Sequence, residues 1–153
     1  MDLEILAYQE KYKQHFYDLN IEWLETHFYV EEHDKEVLEN PQSYILENGG
    51  FIFFAKMGTD IVGTFALMNE SEGWELSKMA VSPNYRGRKI GQHMMEFCID
   101  FSKKKGWNEV LLYSSTILKN ALYIYRKFGF KEVSLGNSPY SRGDIKMVLH
   151  LDD

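Results

Sequence analysis

A single cysteine, Cys98, stands in the 153 residues, so no intrachain disulfide can form and a reducing compartment is the natural setting. Its place beside an apolar helix face marks it as a small buried hydrophobe and not a nucleophile. No apolar run approaches the roughly 18 residues of a membrane span. The start Met1-Asp2-Leu3-Glu4 lacks the charged and apolar regions of a secretory signal. The expectation is a cytoplasmic protein with no membrane partner. Both common phosphate loops, G-x-x-x-x-G-K-[ST] and G-x-G-x-x-G, are missing. His15, His27, His33, His93 and His150 form no H-E-x-x-H or similar cluster, so no metal is expected. No serine nucleophile elbow is present. Excess basic charge is missing too: 17 basic residues face 23 acidic ones, a net charge of −6. Nucleic-acid binders are more often basic, so no nucleic-acid partner is expected. An acidic domain with one short basic loop suits a small anionic ligand and a cationic second substrate.

What is present is enough apolar material for a core, 44% hydrophobic with 15% aromatic. With no repeat, low-complexity tract or linker, residues 1–153 read as a single domain. Asp2 to Ala7 alternates as a first strand. Tyr12, Phe16, Leu19 and Trp23 recur at helical spacing and predict a helix from Gln9 to His27. Phe28 to Asp34 reads as loop, with Asp34 capping a short helix to Asn40 and another turn or two to Glu47. After Asn48-Gly49-Gly50 come strands at Phe51–Met57, Ile61–Asn69 and Trp74–Val81, joined by short turns as an antiparallel meander. A helix from Lys89 to Lys105 follows, ended by Gly106, then a strand at Glu109–Tyr113 parallel to the one before the crossover. A helix from Leu118 to Phe128 and strands at Phe130–Leu135 and Asp144–Leu151 complete the chain. The order β-α-α-β-β-β-α-β-α-β-β predicts an α/β fold: a mixed, mostly antiparallel twisted sheet with flanking helices.

The stretch from Val81 to Gln92 organises this order. Ile90, Met94, Phe97 and Phe101 keep one buried helix face, so a strand ends, a loop turns and a helix begins. A helix start offers unpaired N–H groups and the positive end of the dipole. Gly87 and Gly91 allow close backbone approach, and Arg86, Arg88 and Lys89 add charge. Such a loop suits a pyrophosphate. A basic, solvated helix cap is the alternative.

The hexapeptide Arg86-Gly87-Arg88-Lys89-Ile90-Gly91 resembles the R/Q-x-x-G-x-G/A loop of the GCN5-related N-acetyltransferases, with Lys89 where that family usually has Gly. Glu75 to Val81 looks like the strand entering that loop. Ala121 to Phe130 looks like the family's A-x-x-x-Y-x-x-x-G-F helix end, and Tyr140 to Met147 like its last hairpin. The element order matches as well. The resemblance implies an acyl-CoA N-acyltransferase fold, acetyl-CoA as co-substrate, and an N-acetyltransferase acting on the primary amine of a small molecule or peptide. It implies a cofactor site of Met79, Ala80, Val81, Arg86, Gly87, Arg88, Lys89, Ile90, Gly91 and Gln92. Leu118 stands where many members have Asn, so a hydrogen bond to the pantetheine arm is either missing or supplied by Asn120. A homodimer is left open.

A lysine-like amine is mostly protonated at neutral pH, with roughly one molecule in a few thousand neutral. Glu75 is the candidate base, at the position of a catalytic glutamate in the protein-lysine branch of the family. Strand alternation would put Glu75, Ser77, Met79 and Val81 on one face. The alternative is a solvated strand glutamate. Tyr125 is the candidate acid at the departing thiolate, with a core aromatic as the alternative. Backbone N–H groups near Met79 and Val81 would stabilise the oxyanion. The acidic run Glu31-Glu32-His33-Asp34 is a solvated loop or a lure for a cationic acceptor. Tyr140 and Arg142 edge the acceptor pocket or decorate a surface hairpin. A non-catalytic acyl-CoA sensor of the same fold is the rival function.

Overall fold

The structure, a computed structural model, describes residues 3–136 and 143–151. Strand β1 is Leu3–Ala7, helix α1 Lys13–His27 after a 3-10 turn, and α2 Glu32–Glu39. The meander is β2 Phe51–Met57, β3 Asp60–Glu70 and β4 Gly73–Val81. Then come α3 Ile90–Lys104, β5 Glu109–Ser114, α4 Lys119–Lys127, β6 Lys131–Val133 and β7 Ile145–His150. The expected element order holds throughout. All seven strands form one sheet, ordered β1-β2-β3-β4-β5-β7-β6. Every neighbouring pair is antiparallel except β4 and β5, which run parallel because α3 carries the chain back between them.

Two apolar clusters cover the two faces. On the α3 and α4 side, Phe65, Leu67, Leu76, Ile90, Met94 and Leu122 close the core, with Phe97 and Phe101 packed against it. The helical stripe read from the sequence is therefore the buried stripe, and Cys98 sits fully inside it. On the other side, Phe16, Leu24, Val37 and Leu38 pack on Ile52, Phe54 and Ala66. Each of these side chains larger than alanine contributes roughly 1.5–3 kcal/mol when fully removed from water.

The acidic run at 31–34 is not a solvated loop. It starts α2: Glu31 is the N-cap, and Asp34 Oδ2 accepts the Glu31 N–H at 2.9 Å in a capping box. Asp34 is buried, at the third helical position and not at the cap the spacing implied. Local sequence did not separate the two because Glu31 and Asp34 both suit a helix start.

Candidate active site

The parallel junction of β4 and β5 is short. Its register is the single pair Glu75↔Leu111, and the residues beyond that pair on both strands, Leu76 to Met79 and Leu112 to Ser115, line one cavity. On its other edge β4 carries a bulge: the register with β3 steps from Ala66↔Ser77 to Thr64↔Ala80, three residues answering two. Lys78 sits in the bulge at φ 58°, a conformation L-residues seldom adopt. One extra residue reverses the side-chain parity beyond it. Glu75 and Ser77 therefore face the α1 and α2 side, opposite Met68 and Ala66, whereas Met79 and Val81 pack against the α3 cluster. The expectation that all four share one face fails, because strict alternation assumes an unbroken ladder.

A cavity of ≈ 140 Å³ opens through the gap between β4 and β5. Asn20, Trp23 and Leu24 of α1, Phe28, and Asp34 and Leu38 of α2 line one side. Glu75 to Met79 and Leu112 to Ser115 form the strand walls, and Leu118 and Tyr125 close the α4 side. Glu75 is 3% exposed, so it is not a solvated strand glutamate. Tyr125, half-buried overall, turns its ring toward Phe130, and burial pushes its phenol up to about 12. The two candidate catalytic side chains thus line one space, although they lie fifty residues apart. Tyr123, in contrast, is exposed on the outer side of α4.

Position 129 explains how α4 delivers Tyr125. Gly129 has φ 103°, and a Cβ there would approach Leu149 Cδ1 to 3.1 Å. The left-handed turn ends the helix and sends Phe130 into the core behind Tyr125. The entry to α4 is pinned by Asp144, whose carboxylate accepts from Thr116 N and Oγ1 at 2.8 and 2.7 Å. Those bonds hold the Asp144 carboxyl below its ordinary value.

A second cavity, ≈ 360 Å³, shares Glu75, Lys78 and Tyr113 with the first and is rimmed by His33, Glu70 and Glu72. At that rim Glu72 Oε1 accepts from Tyr113 Oη at 3.0 Å and from Lys146 Nζ at 2.8 Å. The Lys146 bond, then the Tyr113 bond, hold Glu72 low, while burial and Glu72 raise Tyr113. Asn20, Trp23, Lys78 and Tyr113 line the first cavity without having been singled out as site residues by sequence. No motif links them; only apolar periodicity on α1 and β5 hints that they face inward.

The basic loop is placed as expected, between β4 and α3, but its side chains diverge. Arg86 pairs with Glu22 of α1 at 2.6 Å. Arg88 lies over the Tyr85 ring at 5.1 Å, and Tyr85 Oη donates to Asp60 at 2.7 Å. Lys89 is the N-cap of α3 at φ 61°, the left-handed conformation that a glycine would adopt without strain. Ile90 and Ala80 are both buried. Gln92 Oε1 accepts from Lys127 Nζ at 3.2 Å. Gly91 is the informative residue. It lies in the first turn of a helix, and an added Cβ would meet no protein atom within 4 Å. Nothing in the fold asks for glycine there, so the open space fits a group that approaches the helix start closely. Asn120 is exposed on α4 and is not brought into the cavity, which Leu118 lines instead. Tyr140 and Arg142 lie outside the described residues. No group of three or more His, Cys, Asp or Glu among the described residues is arranged to hold a metal, and no helix among them is long and apolar enough to cross a membrane.

A family model described as an acetyltransferase (GNAT) domain matches residues 48–132. A probable N-acetyltransferase camello of Xenopus tropicalis is 27% identical over 101 residues, 64% of this chain and 46% of that protein. The chain thus spans about half the length of the curated relatives it matches. A GNAT-family acetyltransferase of Staphylococcus aureus Mu50 superposes with a TM-score of 0.86 at 24% identity, over 98% of this chain and 99% of that one. A PaiA N-acetyltransferase of Thermoplasma acidophilum, solved in complex with coenzyme A, has a TM-score of 0.75 at 20% identity over 98% and 99% of the two chains. At these identities the structural likeness is one of fold.

Proposed function

The chain belongs to the GNAT acetyltransferase family, and from that premise we propose that it moves an acetyl group from acetyl-CoA to a primary amine of a small molecule or peptide. The observation that carries this proposal is the cavity through the β4–β5 gap, lined by both Glu75 and Tyr125. The coenzyme A held by a neighbour of the same fold supports the choice of cofactor. The loop from Arg86 to Gln92 receives the pyrophosphate, with main-chain N–H groups of the α3 start and the charges of Arg86, Arg88 and Lys89. The open approach at Gly91 fits that group. Main-chain groups of Met79, Ala80 and Val81, at and beyond the bulge, face the pantetheine arm; Asn120 meets it only at the exposed rim.

Acetyl-CoA, when bound, supplies an activated acetyl thioester. Glu75 takes the proton from the acceptor's ammonium, directly or through water, so that the nitrogen lone pair can attack. A main-chain N–H near Met79 stabilises charge at the carbonyl oxygen. Tyr125 donates a hydrogen bond toward the departing sulfur. Its phenol, near 12, is a far weaker acid than a cysteine-type thiol near 8.5. Outright proton transfer would run uphill by roughly three powers of ten, so the hydroxyl stabilises the thiolate chiefly as a donor. Glu70, beside Glu75 at the second opening where Glu72 is already paired with Lys146, favours a positively charged acceptor.

The test is thiol release from acetyl-CoA across a panel of primary amines. Release with any amine above the hydrolysis background is expected. Acetyl-CoA binding without release across the panel would return the chain to the sensor reading, and no binding would end both.

A further inference from the structure

We propose that Glu22 is a positioning residue: through its ion pair with Arg86 it ties the cofactor loop to α1, and so couples acetyl-CoA occupancy to the acceptor side of the cavity. This rests on assigning residues 86–92 to the cofactor's pyrophosphate. Arg86 is the first residue of the glycine-containing loop, yet its guanidinium reaches Glu22, sixty-four positions earlier, with Nη2 to Oε1 at 2.6 Å. The other carboxylate oxygen, Oε2, accepts from Thr26 Oγ1 at 2.8 Å, and the same hydroxyl lies 2.9 Å from Glu22 O. Both carboxylate oxygens are engaged, so Glu22 presents a fixed edge to Arg86.

The next residue along α1, Trp23, lines the cavity, as do Asn20 and Leu24. Trp23 is held by His27 and Phe28, at ring separations of 5.0 and 5.7 Å, and Asn20 Nδ2 donates to Phe16 O at 3.0 Å. Glu22 and these wall residues belong to one helix, Lys13–His27, so its tie to Arg86 is a tie to the segment that carries the cavity wall. A guanidinium has five donors in a planar fork, enough to hold a carboxylate and a phosphate together. Its side chain and that of Glu22 are 33% and 35% exposed. A pair so placed contributes little to folding. Its position between the two substrate sites gives it a different consequence: a phosphate that orders Arg86 orders Glu22, and with it α1. By linkage, an acceptor that orders α1 favours the cofactor equally.

Amide hydrogen exchange on the full chain, with and without saturating acetyl-CoA, tests this in wild type, Glu22→Gln and Glu22→Ala. In wild type, acetyl-CoA should slow exchange in the loop 86–92 and also slow the amides of α1 by roughly fivefold or more, the low end of typical coupling. In both variants the loop should still be protected, the α1 effect should fall below about twofold, and Tm without ligand should stay within about 2 °C of wild type. Equal slowing of α1 in wild type and the Glu22 variants would overturn the coupling while leaving the cofactor site intact. No protection of the wild-type loop itself would overturn the cofactor assignment, and the coupling with it.

Discussion

On the proposed cofactor side, the consecutive residues Arg86 to Gln92 carry the glycines, the charges and the helix start. On the proposed acceptor side the wall is assembled from α1, α2, β4 and β5, and its members are single residues such as Asn20, Trp23, Asp34 and Tyr113. One side is exposed and charged; the other is largely buried and apolar, with acidic groups at its rim. On the proposed reading, the contrast follows from what each side would hold. A pyrophosphate is met by adjacent backbone N–H groups, which only a contiguous loop can supply. An amine is selected by the shape and charge of a space, which distant segments enclose together.

The sharpest way to separate the two sides is Glu75→Gln, which keeps the shape and removes the basicity. Turnover should fall by something like 10²–10⁴-fold, while acetyl-CoA affinity, measured by calorimetry, stays near wild type. Raising the pH should partly rescue the variant, because solvent then deprotonates the amine, whose pKa is near 10.4 if it is lysine-like. Wild-type turnover in Glu75→Gln would leave the base to another side chain or an ordered water chain.

The opposite pattern is expected of Arg88→Ala. Loss of one charge-assisted contact should weaken acetyl-CoA by about 1.5–3 kcal/mol, roughly 10- to 150-fold, with turnover at saturation little changed. Gly91→Ala sharpens the same point by a difference in sign. Thermal stability should hold or rise by up to about 1 kcal/mol, since glycine is a poor helix former, while acetyl-CoA affinity falls. An alanine there that leaves affinity unchanged would mean the open space at Gly91 is only solvent.

The smallest effect belongs to Tyr125, which bridges the two sides. Its phenol titrates near 12 in the fold and near 10 in the unfolded chain. The unfolded state therefore loses this proton first, and the stabilisation, complete below pH 10, is lost as pH rises toward 12. Urea unfolding at pH 9 and pH 11 should show wild type losing about 1 kcal/mol more than Tyr125→Phe over that interval. Identical losses would mean that the hydroxyl is not desolvated by its surroundings.

Much of the architecture could be read from the chain because its signals are local. The stripe Ile90, Met94, Phe97 and Phe101 became the face of α3, and Gly129 ended α4 where the motif put it. The cavity walls were not legible, since Asn20 and Trp23 carry no pattern beyond helical periodicity. Asp34 looked like a solvated acid and proved to be a buried member of a capping box lining the cavity. Arg86 looked like a phosphate ligand by sequence, and its ion pair with Glu22 depends on α1 crossing beside the loop.

The sequence by itself determined the order of elements, the loop at the start of α3 and the end of α4 that carries Tyr125. Each depends on residues within a few positions of one another, where helix periodicity, capping and glycine conformation act. Only the tertiary structure decided which way Glu75 points. The β4 bulge at Lys78 inverts the strand's parity between Ser77 and Ala80, and the short pairing of β4 with β5 leaves a space that both Glu75 and Tyr125 line. A bulge and a gap are properties of strand pairing, and pairing joins segments whose own residues do not encode the register of their neighbours.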